Sequence, residues 1–82
     1  MIIITNSVLE ITKTYDKNAN QTDYSSEVVA VFDDYRKAKA YIDKKINDVT
    51  ARHDKVSWNE YIAFVEDMVI ERRYEIYTFR LD

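Results

Sequence analysis

The sequence predicts an α+β domain: a three-stranded antiparallel sheet with two helices packed on one face, in the order β-β-α-α-β. Three observations lead there. Ile2–Tyr15 and Glu27–Phe32 are rich in the β-branched residues that suit a pleated surface, and Tyr74–Leu81 closes the chain in the same style. Between the second and third of these runs, apolar residues recur twice at helical spacing. The whole is 82 residues with 46% hydrophobic content, enough for one globular domain spanning 1–82 and too apolar for disorder.

In the first run Leu9, Ile11 and Tyr15 share one side at period two, and Glu10, Thr12 and Thr14 take the other. This is a long strand, with Glu10, Thr12 and Thr14 as its expected polar outer face. Asp16–Asp23 is polar apart from Ala19 and is expected to be a loop; with no glycine present, Asn18 or Asn20 must supply any positive φ. Val28-Val29-Ala30-Val31-Phe32 then forms the return strand of a hairpin. Asp33 or Asp34 caps a helix whose buried stripe is Tyr35, Ala38, Ile42, Ile46 and Val49, with Tyr41 beside it, ending near Arg52–Asp54. Ser57-Trp58-Asn59-Glu60 fits a capping box. Trp58, Tyr61, Ile62, Val65 and Val69 follow at helical intervals and favour a second helix over Ser57–Met68. A strand over Tyr61–Ile70 competes, because apolar residues there occupy both parities. The last strand puts Tyr77, Phe79 and Leu81 on one face, Tyr74 and Ile76 on the other, and pairs most simply beside the first strand.

Missing residue types narrow the chemistry. Without glycine, neither a P-loop nor a dinucleotide fingerprint can be written. Without cysteine there is no thiol catalysis, disulfide or cysteine zinc site. The one histidine, His53, is expected to sit at a helix end between Arg52 and Asp54. Glu66-Asp67 with Glu71 offers oxygen ligands but lacks a calcium-loop spacing. No cofactor is implied. The opening Met1-Ile2-Ile3-Ile4 is too short for a signal peptide and follows no basic segment, and no apolar run reaches membrane-spanning length. A cytoplasmic, non-membrane protein is the expectation. The net charge of −3 argues against direct nucleic-acid binding.

Contact residues stand out more than reactive ones. Seven tyrosines in 82 residues is a high count, and tyrosine offers large contact area with little rotamer freedom. The expected partner-binding residues are Tyr15, Asp16, Asp23, Tyr24, Glu66, Asp67 and Tyr74: acids at loops, and tyrosines near strand ends or facing away from the helices.

Val31-Phe32-Asp33-Asp34-Tyr35, then Ala38, Tyr41-Ile42 and the closing Tyr74–Asp82, resemble a recurring element of small phage and prophage proteins. There a strand ends in V-F-D/S, a helix with A-x-x-Y-I follows, and a strand closes the chain. In size and acidity the chain is also similar to phage-encoded inhibitors of host defences, anti-CRISPR proteins among them. The resemblance implies a non-enzymatic inhibitor that occludes a host protein such as a nuclease or CRISPR effector, working as a monomer or homodimer. It assigns no functional residues. The alternative is a nucleic-acid accessory protein using the basic residues of the first helix with Arg72 and Arg73. A small enzyme using His53, and a homo-oligomer built through a sheet edge, are further options.

Overall fold

Strands dominate the chain. In the computed structural model, which describes Met1–Asp82, β1 (Ile3–Asp16) turns back as β2 (Gln21–Phe32), and the helix α1 (Tyr35–Asn47) follows. Three strands then complete the chain: β3 (Arg52–Ser57), β4 (Glu60–Val65) and β5 (Met68–Leu81). All pairings are antiparallel and the five-stranded sheet has the order β2-β1-β5-β4-β3. The expected three-stranded sheet with two helices is therefore replaced by five strands and one helix; the closing strand does lie beside the first.

The correction is concentrated in Ser57–Met68. Ser57 and Glu60 do not cap a helix; they flank the two-residue turn Trp58-Asn59, in which the Ser57 hydroxyl donates to Asn59 Oδ1 at 2.8 Å. The apolar residues of both parities that follow belong to β4, an inner strand between β3 and β5 whose helix side is buried and whose other side is half-buried. Tyr61 and Ala63 point under the helix, Ile62 and Phe64 to the other side. A second tight turn, Glu66-Asp67, leads into β5, with Glu66 at φ 54°. Positive φ strains a residue that carries a Cβ, and glycine-free turns must accept that strain.

The first hairpin also turns more tightly than its polarity suggests. β2 starts at Gln21, and Asn20, at φ 49°, does supply the positive φ. The Asp34 carboxylate accepts from the Arg36 amide at 2.7 Å, the expected cap. The helix stops at Asn47 instead of reaching Arg52–Asp54, because Val49 and Thr50 lead the chain back toward the sheet.

The core is thin. Ala38, Ile42 and Ile46, at i, i+4 and i+8, press against Val8, Tyr61, Ala63 and Tyr74. Only eight of the 82 residues are buried. The molecule measures 53 × 23 × 15 Å, with a radius of gyration of 14.8 Å. A compact chain of this length would have about 12 Å. The helix covers one face of the sheet, and nothing covers the other. No helix is long and apolar enough to cross a membrane.

Candidate functional site

Side-chain alternation along β1 and β5 divides the sheet into two unlike faces. Val8 is fully buried beneath the helix, so Asn6, Glu10 and Thr12 share its side, opposite Thr78, Tyr74 and Arg72. Glu10, Thr12 and Thr14 thus face the helix side and are not the outer surface. The outer face carries Ile3 opposite Leu81, Thr5 opposite Phe79, Ser7 between Tyr77 and Val31, and Leu9 beside Val28. Phe79 is 62% exposed and Tyr77 56%, and Ile3, Val28, Val31 and Leu81 are comparably open. Ordinary monomers scatter such residues singly. Here six adjoin on one uncovered surface. Further along, the same face turns charged: Arg73 bonds Glu75 at 3.1 Å and Lys13 meets Glu71 at 3.5 Å. Beyond them the Arg52 guanidinium lies 4.9 Å from the Phe64 ring centre.

The molecule as a whole carries more surface than a compact one. The chain exposes 5864 Å². A compact monomer of 9.8 kDa would expose about 5,200 Å². The surplus of about 700 Å² belongs to the whole chain and follows from its elongated 53 × 23 × 15 Å shape.

Most of the residues expected at a contact surface gather at the far end of the same sheet. Asp16 is paired with Gln21 on one side and Met68 on the other, which brings the two turns together. The Lys17 amide donates to the Asp67 carbonyl at 3.0 Å, and Asn18 Nδ2 donates to the Asp67 carboxylate at 2.7 Å. The Tyr15 hydroxyl donates to Asn20 Oδ1 at 2.9 Å. Asp16, Glu66 and Asp67 thus form an acidic tip with Tyr15 at its base, and Asp23 and Tyr24 follow on the adjoining edge strand. Lys17 is the one cation in the two turns. Tyr24 is 72% exposed, with Lys13 Nζ 5.9 Å from its ring centre. Tyr74 does not join them. It is 2% exposed on the helix side, where its hydroxyl donates to Glu10 Oε2 at 2.8 Å.

That helix-side cluster borders a hollow of about 400 Å³ between the end of α1 and the sheet, lined in part by Glu10, Lys45, Tyr61, Arg72 and Tyr74. Its polar groups are occupied with one another. Arg72 Nε donates to Thr12 Oγ1 at 3.2 Å, its Nη1 to the Tyr61 hydroxyl at 2.9 Å, and Glu10 Oε1 stands 3.8 Å away. Burial, and then the Glu10 carboxylate, push the Tyr74 hydroxyl well above the usual phenol range. Tyr74 therefore keeps its proton as a fixed donor and is a poor acid. No buried side-chain nitrogen or oxygen in the molecule lacks a partner, so none is aimed into the hollow awaiting a ligand.

His53 lies in β3, away from any helix end. Its Nδ1 is 2.8 Å from the Ala51 carbonyl and its ring meets Tyr61 edge-on at 5.8 Å. No group of three or more His, Asp or Glu side chains is placed to hold a metal ion. Trp58 is 45% exposed at its turn, with Lys39 Nζ 5.0 Å from the ring. The cations of the nucleic-acid alternative are largely paired: Lys37 with Asp33 at 3.0 Å, Lys44 with Asp48 at 2.7 Å, Arg73 with Glu75, and Arg72 within the cluster above.

The chain matches no protein-family model, no curated protein and no solved structure. The open face was missed in the sequence because no feature distinguishes the covered side of a sheet until the number of helices is known. The grouping of Tyr77, Phe79 and Leu81 was the available signal.

Proposed function

We propose that this chain is a protein-binding domain without catalysis of its own, and that it docks through the uncovered face of its sheet. The observation that carries this reading is the contiguous apolar surface of Ile3, Val28, Val31, Tyr77, Phe79 and Leu81 on a sheet face that no helix covers. The matching partner surface is apolar at one end and carries both charge signs where it meets Arg73, Glu75, Lys13 and Glu71. The acidic tip adds long-range steering toward a basic protein, which speeds association and makes it salt-sensitive.

The narrower form of the proposal is an inhibitor from a phage or mobile element that occludes a host defence protein, a nuclease or CRISPR effector. Its support is the resemblance described above, the small acidic chain, and Asp16, Asp23, Glu66 and Asp67 as stand-ins for phosphates on a basic target. The test uses tagged chain in a bacterial host lysate. The wild type is expected to retain one protein stoichiometrically, and a V31D/F79D double variant, folded by circular dichroism, to lose at least tenfold of it. Neutralising the tip as D16N/D23N/E66Q/D67N should slow binding and flatten its salt dependence while leaving the complex formed. Undiminished retention by V31D/F79D contradicts the docking face; a retained protein with no defence or nucleic-acid role contradicts the narrower form.

A further inference from the structure

We infer that a second copy of this chain pairs with the free edge of β2, antiparallel and with Tyr24 on the twofold axis, making one continuous ten-stranded sheet. The inference does not rest on the docking face. It rests on the contrast between sheet edges. β3, at one side of the sheet, is short, bulged at Val56, and carries Arg52, His53, Asp54 and Lys55 in succession, the usual protection against pairing. The part of β5 beyond Tyr74 is also free on one side, but its seven residues carry Glu75 and Arg80. β2, the other outermost strand, has twelve residues with no proline, lysine or arginine, and Gln21–Val28 is exposed on both faces.

The register follows from charge and geometry. Residues opposite one another in an antiparallel pair lie on the same face, so a twofold axis normal to the sheet must pass through a residue. The regular stretch runs from Gln21 to Val28, bounded by the turn and by the bulge at Val29. An axis at Ser25 places Asp23 against Glu27 twice, and an axis at Asp23 sets two aspartates together; like charges directly opposite are unfavourable. An axis at Ser26 meets the bulge after five residues. An axis at Tyr24 pairs seven residues, Gln21 to Glu27. It sets Gln21 opposite Glu27, Thr22 opposite Ser26 and Asp23 opposite Ser25, with no like charges facing, and the two exposed Tyr24 rings meet at the axis.

Seven paired residues bury less than a standard interface, so the dimer is a weak one. Sedimentation equilibrium over roughly 10 μM to 1 mM should show the mass rising from 9.8 kDa toward twice that value. Ser25 is exposed, so its variants leave the monomer intact. S25K places an ammonium opposite Asp23 of the second copy at two symmetric positions and should tighten the dimer roughly fivefold; S25E should loosen it by a similar factor. The chain lacks cysteine, so single cysteines report the register: mild oxidation should link Y24C to itself and leave S26C unlinked. A monomeric mass for both wild type and S25K at the highest concentration overturns the inference. Equal affinities for S25K and S25E do so as well, as does linkage of S26C in preference to Y24C.

Discussion

Replacing Ile42 with alanine is expected to remove most of the stability of the fold. Ile42 is fully buried at the middle of the helix's apolar stripe, with Ala38 one turn before it and Ile46 one turn after. Truncating a buried isoleucine costs roughly 2–5 kcal/mol through lost transfer energy and the cavity left behind. A domain of 82 residues has in total about 4–12 kcal/mol to lose. With seven buried hydrophobic residues in the cluster, no second layer is present to collapse into the gap. Urea unfolding followed by circular dichroism should therefore show the I42A midpoint far below that of the wild type, or no native baseline at all. An exposed position serves as the control: V31D should fall within about 0.5 kcal/mol of wild type. Equal midpoints for I42A and wild type would show that α1 does not hold the sheet in the manner described.

Alkaline pH supplies the second large effect. Burial and the bond to Glu10 raise the pKa of Tyr74 in the folded state above its ordinary value of 10.0. The unfolded chain then releases the Tyr74 proton at about pH 10 while the folded chain keeps it, so above that pH the unfolded state binds one proton fewer. Stability from this group is complete below pH 10. It falls by about 1.4 kcal/mol for each further pH unit until the folded-state pKa is reached. Y74F retains the ring and removes the titration, leaving Glu10 without one donor at a cost of about 1 kcal/mol at neutral pH. Plots of urea midpoint against pH should therefore descend steeply above pH 10 for the wild type and less steeply for Y74F. Parallel curves would mean that Tyr74 is not shielded as the structure places it.

Local chemistry made parts of this fold legible. The Asp34 cap, the stripe Ala38-Ile42-Ile46 and Asn20 at positive φ follow from nearest-neighbour rules that hold whatever the rest of the chain does. Ser57–Met68 was illegible for a specific reason. A serine followed three residues later by a glutamate satisfies a capping box and equally closes a two-residue turn, and apolar residues at both parities suit a helix or an inner strand flanked on both sides. The arbiter is whether β5 begins at Met68 or Tyr74, and that is decided by pairing with Asp16–Glu10, far away in sequence. The same pairing explains the contact residues. Tyr15, Asp16, Glu66 and Asp67 meet because Asp16 lies opposite Met68, a relation no local pattern encodes. Tyr74 was expected at the surface as a tyrosine near a strand end or facing away from the helices; it instead lies buried beneath the single helix.

The proposal that a partner covers the open sheet face is tested most directly by hydroxyl-radical footprinting of the chain with and without its captured partner. Phe79 and Tyr77 should be oxidised readily in the free chain and protected several-fold in the complex, while Trp58, at the turn between β3 and β4, keeps its reactivity. Equal oxidation of Phe79 and Tyr77 in both states, with protection appearing at Trp58 instead, would place the partner elsewhere and contradict the account.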